Sequence, residues 1–154
     1  MKEPTRREML TASAKVASLL AAAGLLPGLA HAAWPQAAFD TKSVADAVKA
    51  LGGSAPVASG DVTVTGPDIA ENGAVVPVGA STTLAGAKRL LLLVEKNPNA
   101  LAAVFDLTDA VEPNILTRVK MAQTSNVYAV AMMADGRALF ASKEIKVTLG
   151  GCGG

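Results

Sequence analysis

The stretch VYAVAMMADGRALFASKEIKVTL, residues 127–149, decides the fold. The dipeptide Asp135-Gly136 separates two apolar segments, Val127–Ala134 and Ala138–Leu149, and it is a typical connection of a two-residue β-hairpin. From Ile145 to Leu149 apolar residues alternate with polar ones, as in a strand with one buried face. We therefore predict two neighbouring antiparallel strands at the end of the chain.

The residues before this hairpin continue the same pattern of short apolar segments separated by turn residues. Lys88–Glu95 has the composition of a buried strand or of a helical turn, and the turns on both sides favour a strand. Pro77 indicates an edge strand or a bulge, because proline cannot donate to a ladder. Together the segments predict about seven strands and an all-β sandwich: Asp61–Thr65, Ala74–Gly79, Lys88–Glu95, Leu101–Leu107, Ile115–Met121, Val127–Ala134 and Ala138–Leu149.

One segment has helical rather than strand periodicity. Apolar residues from Phe39 to Leu51 recur every three or four positions, which predicts an amphipathic helix. Asp40 or Thr41 is the expected N-cap, and Gly52-Gly53 the expected end. We expect Trp34 and Phe39 to attach this helix to the sandwich. Ala131–Ala134, which contains two methionines, is expected in the core rather than on a partner surface.

The first 32 residues have the layout of an export signal. Positive residues are followed by an apolar run, by Pro27-Gly28, and by Ala30-His31-Ala32, which has the form of a signal-peptidase site. The run Ala12–Leu26 is shorter than the roughly 20 residues that a membrane-spanning helix needs. Arg6-Arg7, with a hydrophobic pair two positions later, matches the twin-arginine pattern of a route that exports folded proteins. We predict a periplasmic protein with no membrane span.

Removal of residues 1–32 changes the chemistry available to the protein. It deletes four of the 14 basic and two of the 13 acidic residues, leaving ten and eleven and a net charge of −1. It also removes His31, the only histidine of the chain. Histidine is the commonest general base and metal ligand near neutral pH. The predicted mature chain therefore excludes histidine-dependent hydrolases, and we predict no metal centre and no cofactor.

The net charge and the cysteine content exclude further classes of protein and of site. A net charge of +1 without a basic cluster offers no electrostatic surface for nucleic acid. The single cysteine excludes an intramolecular disulfide. Arg118 and Lys120 are expected on a solvated sheet face, opposite Val119 and Met121. A second set of charged residues is expected to face solvent or a partner: Lys143, Glu144 and Lys146. The acidic residues Asp106, Asp109 and Glu112 fall at turns and lack EF-hand spacing, so we assign no calcium site to them.

The last five residues, Gly150-Gly151-Cys152-Gly153-Gly154, form a segment that we call the arm. A strand leads directly into these glycines, which have no Cβ and allow a wide range of backbone angles. The three residues from Leu149 to Cys152 reach about 10 Å. An exposed free thiol is a liability in an oxidising compartment, so a functional thiol is favoured over an accidental one. Only two residues follow Cys152, which excludes prenylation.

The arm and three further stretches resemble the SoxY family, the sulfur-carrying subunits of the periplasmic Sox thiosulfate-oxidising system. The matching stretches are KEIKVTLGGCGG at 143–154, DIAENG at 68–73 with VPV at 76–78, LVEKNPN at 93–99 and TRVKMAQTS at 117–125. Together with the signal they cover essentially the whole chain, and the glycine-flanked cysteine is the most specific element. Ala100 departs from the pattern, because a proline is expected after Asn99, and this affects only a loop.

The resemblance implies that Cys152 is the covalent attachment point for sulfur intermediates, carried on the glycines of the arm as a swinging segment. It implies an immunoglobulin-like sandwich, a heterodimer with a SoxZ subunit and no catalysis by this chain alone. It also implies three transient partners: the c-type cytochrome SoxAX, the hydrolase SoxB and, in some organisms, a sulfane dehydrogenase. A signal for the export of folded proteins further suggests that a SoxZ-like partner without its own signal is exported together with this chain.

Three other functions are weighed against the carrier. A terminal Gly153-Gly154 is similar to the ends of ubiquitin-like sulfur carriers, but those work in the cytoplasm through their C-terminal carboxylate. An exported immunoglobulin-like binding or structural module would use Cys152 only for an interchain disulfide. An independent enzyme is the weakest alternative, because no acid–base pair has a distinctive spacing. We interpret the chain as a sulfur carrier.

Overall fold

The computed structural model describes residues 5–22 and 35–149. The chain divides into two units, residues 1–34 and 35–154. The described part of the first unit is one helix, α1 (Arg6–Ala22). Thr5 N donates to the Glu8 carboxylate at 2.8 Å, and Glu8 N donates to Thr5 Oγ1 at 3.4 Å. This reciprocal capping box begins the helix, and its hydrogen bonds lower the pKa of Glu8.

The second unit begins with two short helices, where the sequence predicted one helix. They are α2 (Gln36–Phe39) and α3 (Val44–Ala50). The predicted N-caps are wrong: Asp40 ends α2, and the Thr41 hydroxyl donates to Ala38 O. Ser43 is the cap of α3, because its extended backbone interrupts the helix and its Oγ accepts from Asp46 N at 3.1 Å. The predicted end at Gly52-Gly53 is confirmed, with Gly52 at φ 85°.

Nine strands in the described residues form two sheets that pack as a sandwich. The strands are β1 Val57–Ala58, β2 Val62–Thr65, β3 Ile69–Ala70, β4 Val76–Thr82, β5 Ala87–Val94, β6 Leu101–Asp106, β7 Asn114–Val119, β8 Ser125–Met133 and β9 Ala138–Val147. The larger sheet has the order β1-β9-β8-β5-β6, and β3 pairs with a later part of β9. The smaller sheet has the order β2-β4-β7. The predicted all-β sandwich is confirmed.

Strand β5 shows why the leucine run Leu90–Leu93 is continuous. Leu90 and Leu92 point into the core between the sheets, with valines of β4 and Ile145 of β9. Leu91 and Leu93 point to the opposite face. All four leucines are fully buried. A strand that is covered on both faces has no polar alternation, so the strand interpretation of this segment is correct.

Helices α2 and α3 cover the outer face of the larger sheet and form a second core with it. Ala47 and Val48 of α3 pack with Leu91, Leu93 and their neighbours on β8. Phe39 packs against this cluster, as expected, whereas Trp34 lies outside the described residues. Two residues of the methionine-containing segment, Ala131 and Met132, are buried, which confirms the core interpretation for them. Met133 is half-buried and Ala134 exposed, because β8 ends there.

The hairpin between β8 and β9 exists, but its loop is not the predicted two-residue turn. Met133 N donates to Arg137 O at 2.9 Å, so the loop contains three residues, Ala134, Asp135 and Gly136. A type I′ turn needs positive φ at both central residues, and only Gly136 has it, at 84°. The left-handed glycine therefore follows an ordinary turn, as in three-residue hairpins with a glycine bulge.

Pro77 lies at the end of β4 that has a neighbour on one side only. It is opposite Arg118 of β7, whereas the pairing of β4 with β2 ends at Gly79 opposite Thr65. The missing N–H of proline therefore costs no ladder hydrogen bond on the β2 side. The predicted edge position of Pro77 is confirmed locally, although β4 is the central strand of its sheet.

Gly79→Ala is expected to destabilise the sandwich. A Cβ at this position would lie 2.6 Å from Leu116 Cδ2 and 3.0 Å from Ile115 O, and closer still to Thr65 Oγ1. Overpacking of this kind costs about 1–3 kcal/mol of unfolding free energy, which urea denaturation measures. Gly60→Ala is the matched control, because a Cβ there meets nothing within 4 Å. A Gly79→Ala protein as stable as the control would contradict this packing.

Candidate functional site

The end of β9, from which the arm continues, is hydrogen-bonded on both sides. Val147 N donates to Thr124 Oγ1 at 2.9 Å. Thr148 N donates to Ala70 O at 3.1 Å, and Leu149 O accepts from Gly73 N at 2.8 Å. These bonds fix the position of Leu149, the last described residue before the arm. All five arm residues lie outside the described residues: Gly150, Gly151, Cys152, Gly153 and Gly154.

Residues 68–73, which we call the brace, connect the end of β9 to the smaller sheet. Within the brace, β3 pairs in parallel with β9, with Ile69 opposite Lys146. At its end Gly73 O accepts from Met121 N at 2.7 Å, just after β7. The turn that follows is closed by Asn72 Oδ1, which accepts from Ala74 N at 2.8 Å. Sequence reasoning recognised turn residues here but missed their pairing with β9, since a two-residue strand shows no alternation.

A second loop joins the same region through the side chain of Asn97. Its Nδ2 donates to Lys120 O at 2.8 Å, and its Oδ1 accepts from Ala122 N at 3.1 Å. Nearby, the buried Ser125 accepts from Lys96 N at 3.0 Å through its hydroxyl. The stretches 68–73, 93–99 and 117–125 are thus hydrogen-bonded into one region. The fourth stretch joins them where Val147 meets Thr124.

Lys143 stabilises the loop that leads into the brace. Its Nζ donates to Gly66 O at 2.6 Å and lies 2.9 Å from Asp68 Oδ1. The prediction that Lys143 faces solvent or a partner is therefore wrong, because the side chain is two-thirds covered and bound to its own chain. Glu144 and Lys146 are exposed, as predicted. The Lys143 ammonium, by its hydrogen bond and its charge, lowers the pKa of Asp68, and the charge of Lys146 adds a smaller effect.

The other charged residues singled out from the sequence do not form a site. Arg118 and Lys120 are exposed while Val119 and Met121 are buried, which confirms the predicted faces of β7. Asp106 pairs with Arg89 at 2.5 Å. Within residues 5–22 and 35–149 no cluster of three acidic, cysteine or histidine side chains is arranged to hold a metal ion.

The first unit holds the predicted signal residues Arg6 and Arg7, which are exposed in the first turn of α1. The predicted cleavage-site residues Ala30 and Ala32 lie outside the described residues. In the part of the chain that the structure describes, no helix combines the length and the apolar character needed to cross a bilayer.

Comparison with known proteins places the chain in a family. The family model described as "Sulfur oxidation protein SoxY" matches residues 47–152. The chain therefore belongs to the SoxY family of sulfur oxidation proteins. The match begins within helix α3, at Ala47, and ends at Cys152, so it covers the sandwich together with the cysteine of the arm. No protein among curated sequences matches the chain significantly.

Solved structures agree with this assignment. The sulfur carrier protein SoxY of Chlorobium limicola f thiosulfatophilum is 35% identical, with a TM-score of 0.60 over 68% of this chain and 94% of that one. A superoxide reductase (neelaredoxin) of Ignicoccus hospitalis is 18% identical, with a TM-score of 0.50 over 56% of this chain and 79% of that one. The second likeness shows the fold alone.

The Lys143–Asp68 contact predicts an unusual titration. The Asp68 carboxyl should titrate below its ordinary pKa of 3.8, and carbon-detected NMR of the side chain measures this. Asp68 contributes stability above its ordinary pKa, and that contribution is lost as the pH falls through the lowered value. Lys143→Met should return the pKa towards normal, whereas Lys146→Met should change it less. Equal effects of the two substitutions would contradict the assigned contact.

Proposed function

We propose that this protein is a periplasmic covalent sulfur carrier in thiosulfate oxidation, with Cys152 as the attachment site. The observation that carries the proposal is the SoxY family match, which extends to Cys152. The similar protein from Chlorobium limicola is itself titled a sulfur carrier protein. The hydrogen bonds that hold Leu149 add support, because they connect the arm to a defined point on the sandwich.

The chemistry of loading requires only a thiol from this chain. The thiolate form is the nucleophile, and oxidative coupling to thiosulfate forms one S–S bond: Cys–SH + S₂O₃²⁻ gives Cys–S–S–SO₃⁻, one proton and two electrons. The electrons pass to a c-type cytochrome of the SoxAX kind. Hydrolysis by a SoxB-type enzyme then cleaves the terminal S–S bond with water, which gives Cys–S–SH and hydrogen sulfate. A sulfane dehydrogenase oxidises the remaining sulfur where one is present.

The composition of the sandwich fits a carrier whose reactions are catalysed by other proteins. Residues 33–154 contain no histidine and a single cysteine. Within residues 35–149, Asp68 and Asp135 have carboxyl groups with lowered pKa values, and each is bound to a cation of its own chain. We therefore assign no acid–base machinery and no cofactor to this chain, and place the three reactions on its partners.

The arm allows one thiol to serve several partners. Cys152 lies three residues beyond Leu149, a reach of about 10 Å, and the other four arm residues are glycines. Glycines add no side-chain bulk, so the arm can enter a narrow active site that excludes an ordinary loop. A SoxZ-like subunit completes the carrier as a heterodimer.

The reconstituted reaction tests the role of Cys152. With purified partner subunits, thiosulfate-dependent cytochrome reduction should fall to the background in Cys152→Ser. The double variant C152S/S142C moves the thiol onto the exposed face of β9, and it should also be inactive because a strand cannot enter an active site. Wild-type activity in Cys152→Ser would contradict the proposal and favour a carboxylate carrier. If the only effect of Cys152→Ser is the loss of an interchain disulfide, a structural module is favoured.

The export route is tested by replacing the guanidinium groups of Arg6 and Arg7 while their positive charge is kept. Arg6→Lys with Arg7→Lys should leave the precursor in the cytoplasm, because the twin-arginine route is defined by that pair. The capping box of Thr5 and Glu8 is untouched by these changes. Lys15→Arg is the matched control and should be exported normally, as measured by cell fractionation. Normal export of the double variant would contradict this route.

The same export system tests co-export of the partner. When residues 1–32 are deleted, a SoxZ-like subunit without its own signal should also stay in the cytoplasm. Unchanged export of that subunit would show that it travels independently.

A further inference from the structure

Asn72 and Gly73, the last two residues of the brace, form the one Asn-Gly pair of the chain. Asparagine is a thermolabile residue, because the backbone nitrogen of the next residue can attack its side-chain carbonyl carbon. A following glycine has no Cβ to hinder that attack. Asn72 is exposed to water, whereas Gly73 is buried. The pair therefore combines a reactive sequence with a nucleophilic nitrogen that lies inside the fold.

The other four asparagines of the chain are less suited to this reaction. Asn97 precedes a proline, which has no N–H. The remaining three precede residues that carry a side chain: Asn99 before Ala100, Asn114 before Ile115 and Asn126 before Val127. Two of these three also lie within strands β7 and β8. Asn72 is consequently the asparagine whose sequence most favours the attack.

Two hydrogen bonds at the Asn-Gly pair have opposite effects on its reaction. Asn72 Oδ1 accepts from Ala74 N at 2.8 Å, so a donor already points at the oxygen that gains negative charge during the attack. Gly73 N donates to Leu149 O at 2.8 Å. This nitrogen must lose its proton before it attacks, and the Leu149 carbonyl holds that proton. The first bond favours the reaction, and the second blocks it while the brace is bonded to the end of β9.

We propose that Asn72 is a deamidation site that is protected by the bond from Gly73 to Leu149 and reacts when the brace opens locally. The Gly73 nitrogen then forms a bond to Asn72 Cγ, the Cγ–Nδ2 bond breaks, and ammonia leaves. Water opens the resulting succinimide ring. In sum, asparagine and water give aspartate or isoaspartate and an ammonium ion, and no oxidant or reductant takes part.

Either product weakens the brace. Both products place a negative charge next to Glu71, and isoaspartate adds one methylene group to the main chain before Gly73. Gly73 uses its N–H for Leu149 O and its C=O for Met121 N. A main chain that is lengthened at this point cannot keep both bonds in place. Deamidation of Asn72 therefore releases the start of the arm from the smaller sheet.

The modification goes beyond the proposed function and does not depend on it, because no thiol takes part. Peptide sequencing separates a deamidated brace from any sulfur addition at Cys152. Failure of sulfur loading and failure of this proposal are consequently separate results.

Hydrogen exchange and deamidation of the unmodified full chain test the protection. Both reactions begin when a base removes the Gly73 N–H proton, so both require the bond to Leu149 O to open. NMR measures the protection factor of the Gly73 amide, and mass spectrometry follows Asn72 in the folded and in the urea-unfolded chain. Deamidation should be slower in the folded chain by at least that protection factor. A smaller slowing, or an unprotected Gly73 amide, would overturn the proposal.

Low concentrations of urea distinguish local opening from global unfolding. A local opening exposes little surface, so its equilibrium is insensitive to urea below the unfolding transition. The deamidation rate of the folded chain should therefore stay constant over this range. A rate that rises with the slope of global unfolding from the lowest concentration would overturn local opening, as would a folded chain in which Asn72 does not react.

Thr148→Pro loosens the brace beside the protecting bond. Thr148 N donates to Ala70 O at 3.1 Å, and Thr148 Oγ1 donates to Glu71 O at 3.1 Å. Proline removes both donors, so deamidation of Asn72 should become about fivefold faster or more. Thr148→Val is the matched control, because it keeps the N–H and loses only the hydroxyl, and it should accelerate the reaction less. Equal rates in the parent and in the proline variant would overturn the proposal.

Discussion

The hydrogen bonds between the brace and the end of β9 are the constraint on which the functional architecture depends. Strand β9 is long and pairs along its length with β8, but its last residues extend beyond that ladder. There Thr148 and Leu149 are bonded to Ala70 and Gly73, and Lys143 connects the preceding loop to the same strand. The arm therefore begins at a point that is tied to both sheets rather than at the frayed end of a strand.

This arrangement shows which structural role the stretches that resemble the SoxY family have. They are separated along the chain, yet Gly73 bonds to Met121, Asn97 bonds to residues on either side of Met121, and Thr124 bonds to Val147. Backbone groups, the side-chain amide of Asn97 and the hydroxyl of Thr124 form these contacts, not catalytic acids or bases. The arrangement supports a strand end and leaves the chemistry to Cys152 and to partner enzymes.

Much of the fold was predictable because its signals are local. The alternation in β9 and β2, the turn at Gly52-Gly53 and the leucine run of β5 each correspond to a strand or a helix end. The missed features depend on tertiary contacts. Residues 69–70 become a strand only because β9 lies beside them, and Ser43 becomes a cap because its extended backbone separates two helices that both pack on the larger sheet. The hairpin loop gained a third residue because Asp135 keeps a negative φ. The cysteine of the candidate site could be predicted from the sequence, but the brace could not. Two paired residues are too few to show the alternation of a strand.

The measurement that tests the carrier most directly is the intact mass of the protein purified from cells that are oxidising thiosulfate, with and without reductant. The account predicts reductant-sensitive additions that match sulfur atoms or thiosulfate and that map to Cys152 by peptide sequencing. An unmodified thiol during active thiosulfate oxidation, or only a protein–protein disulfide at Cys152, would contradict it.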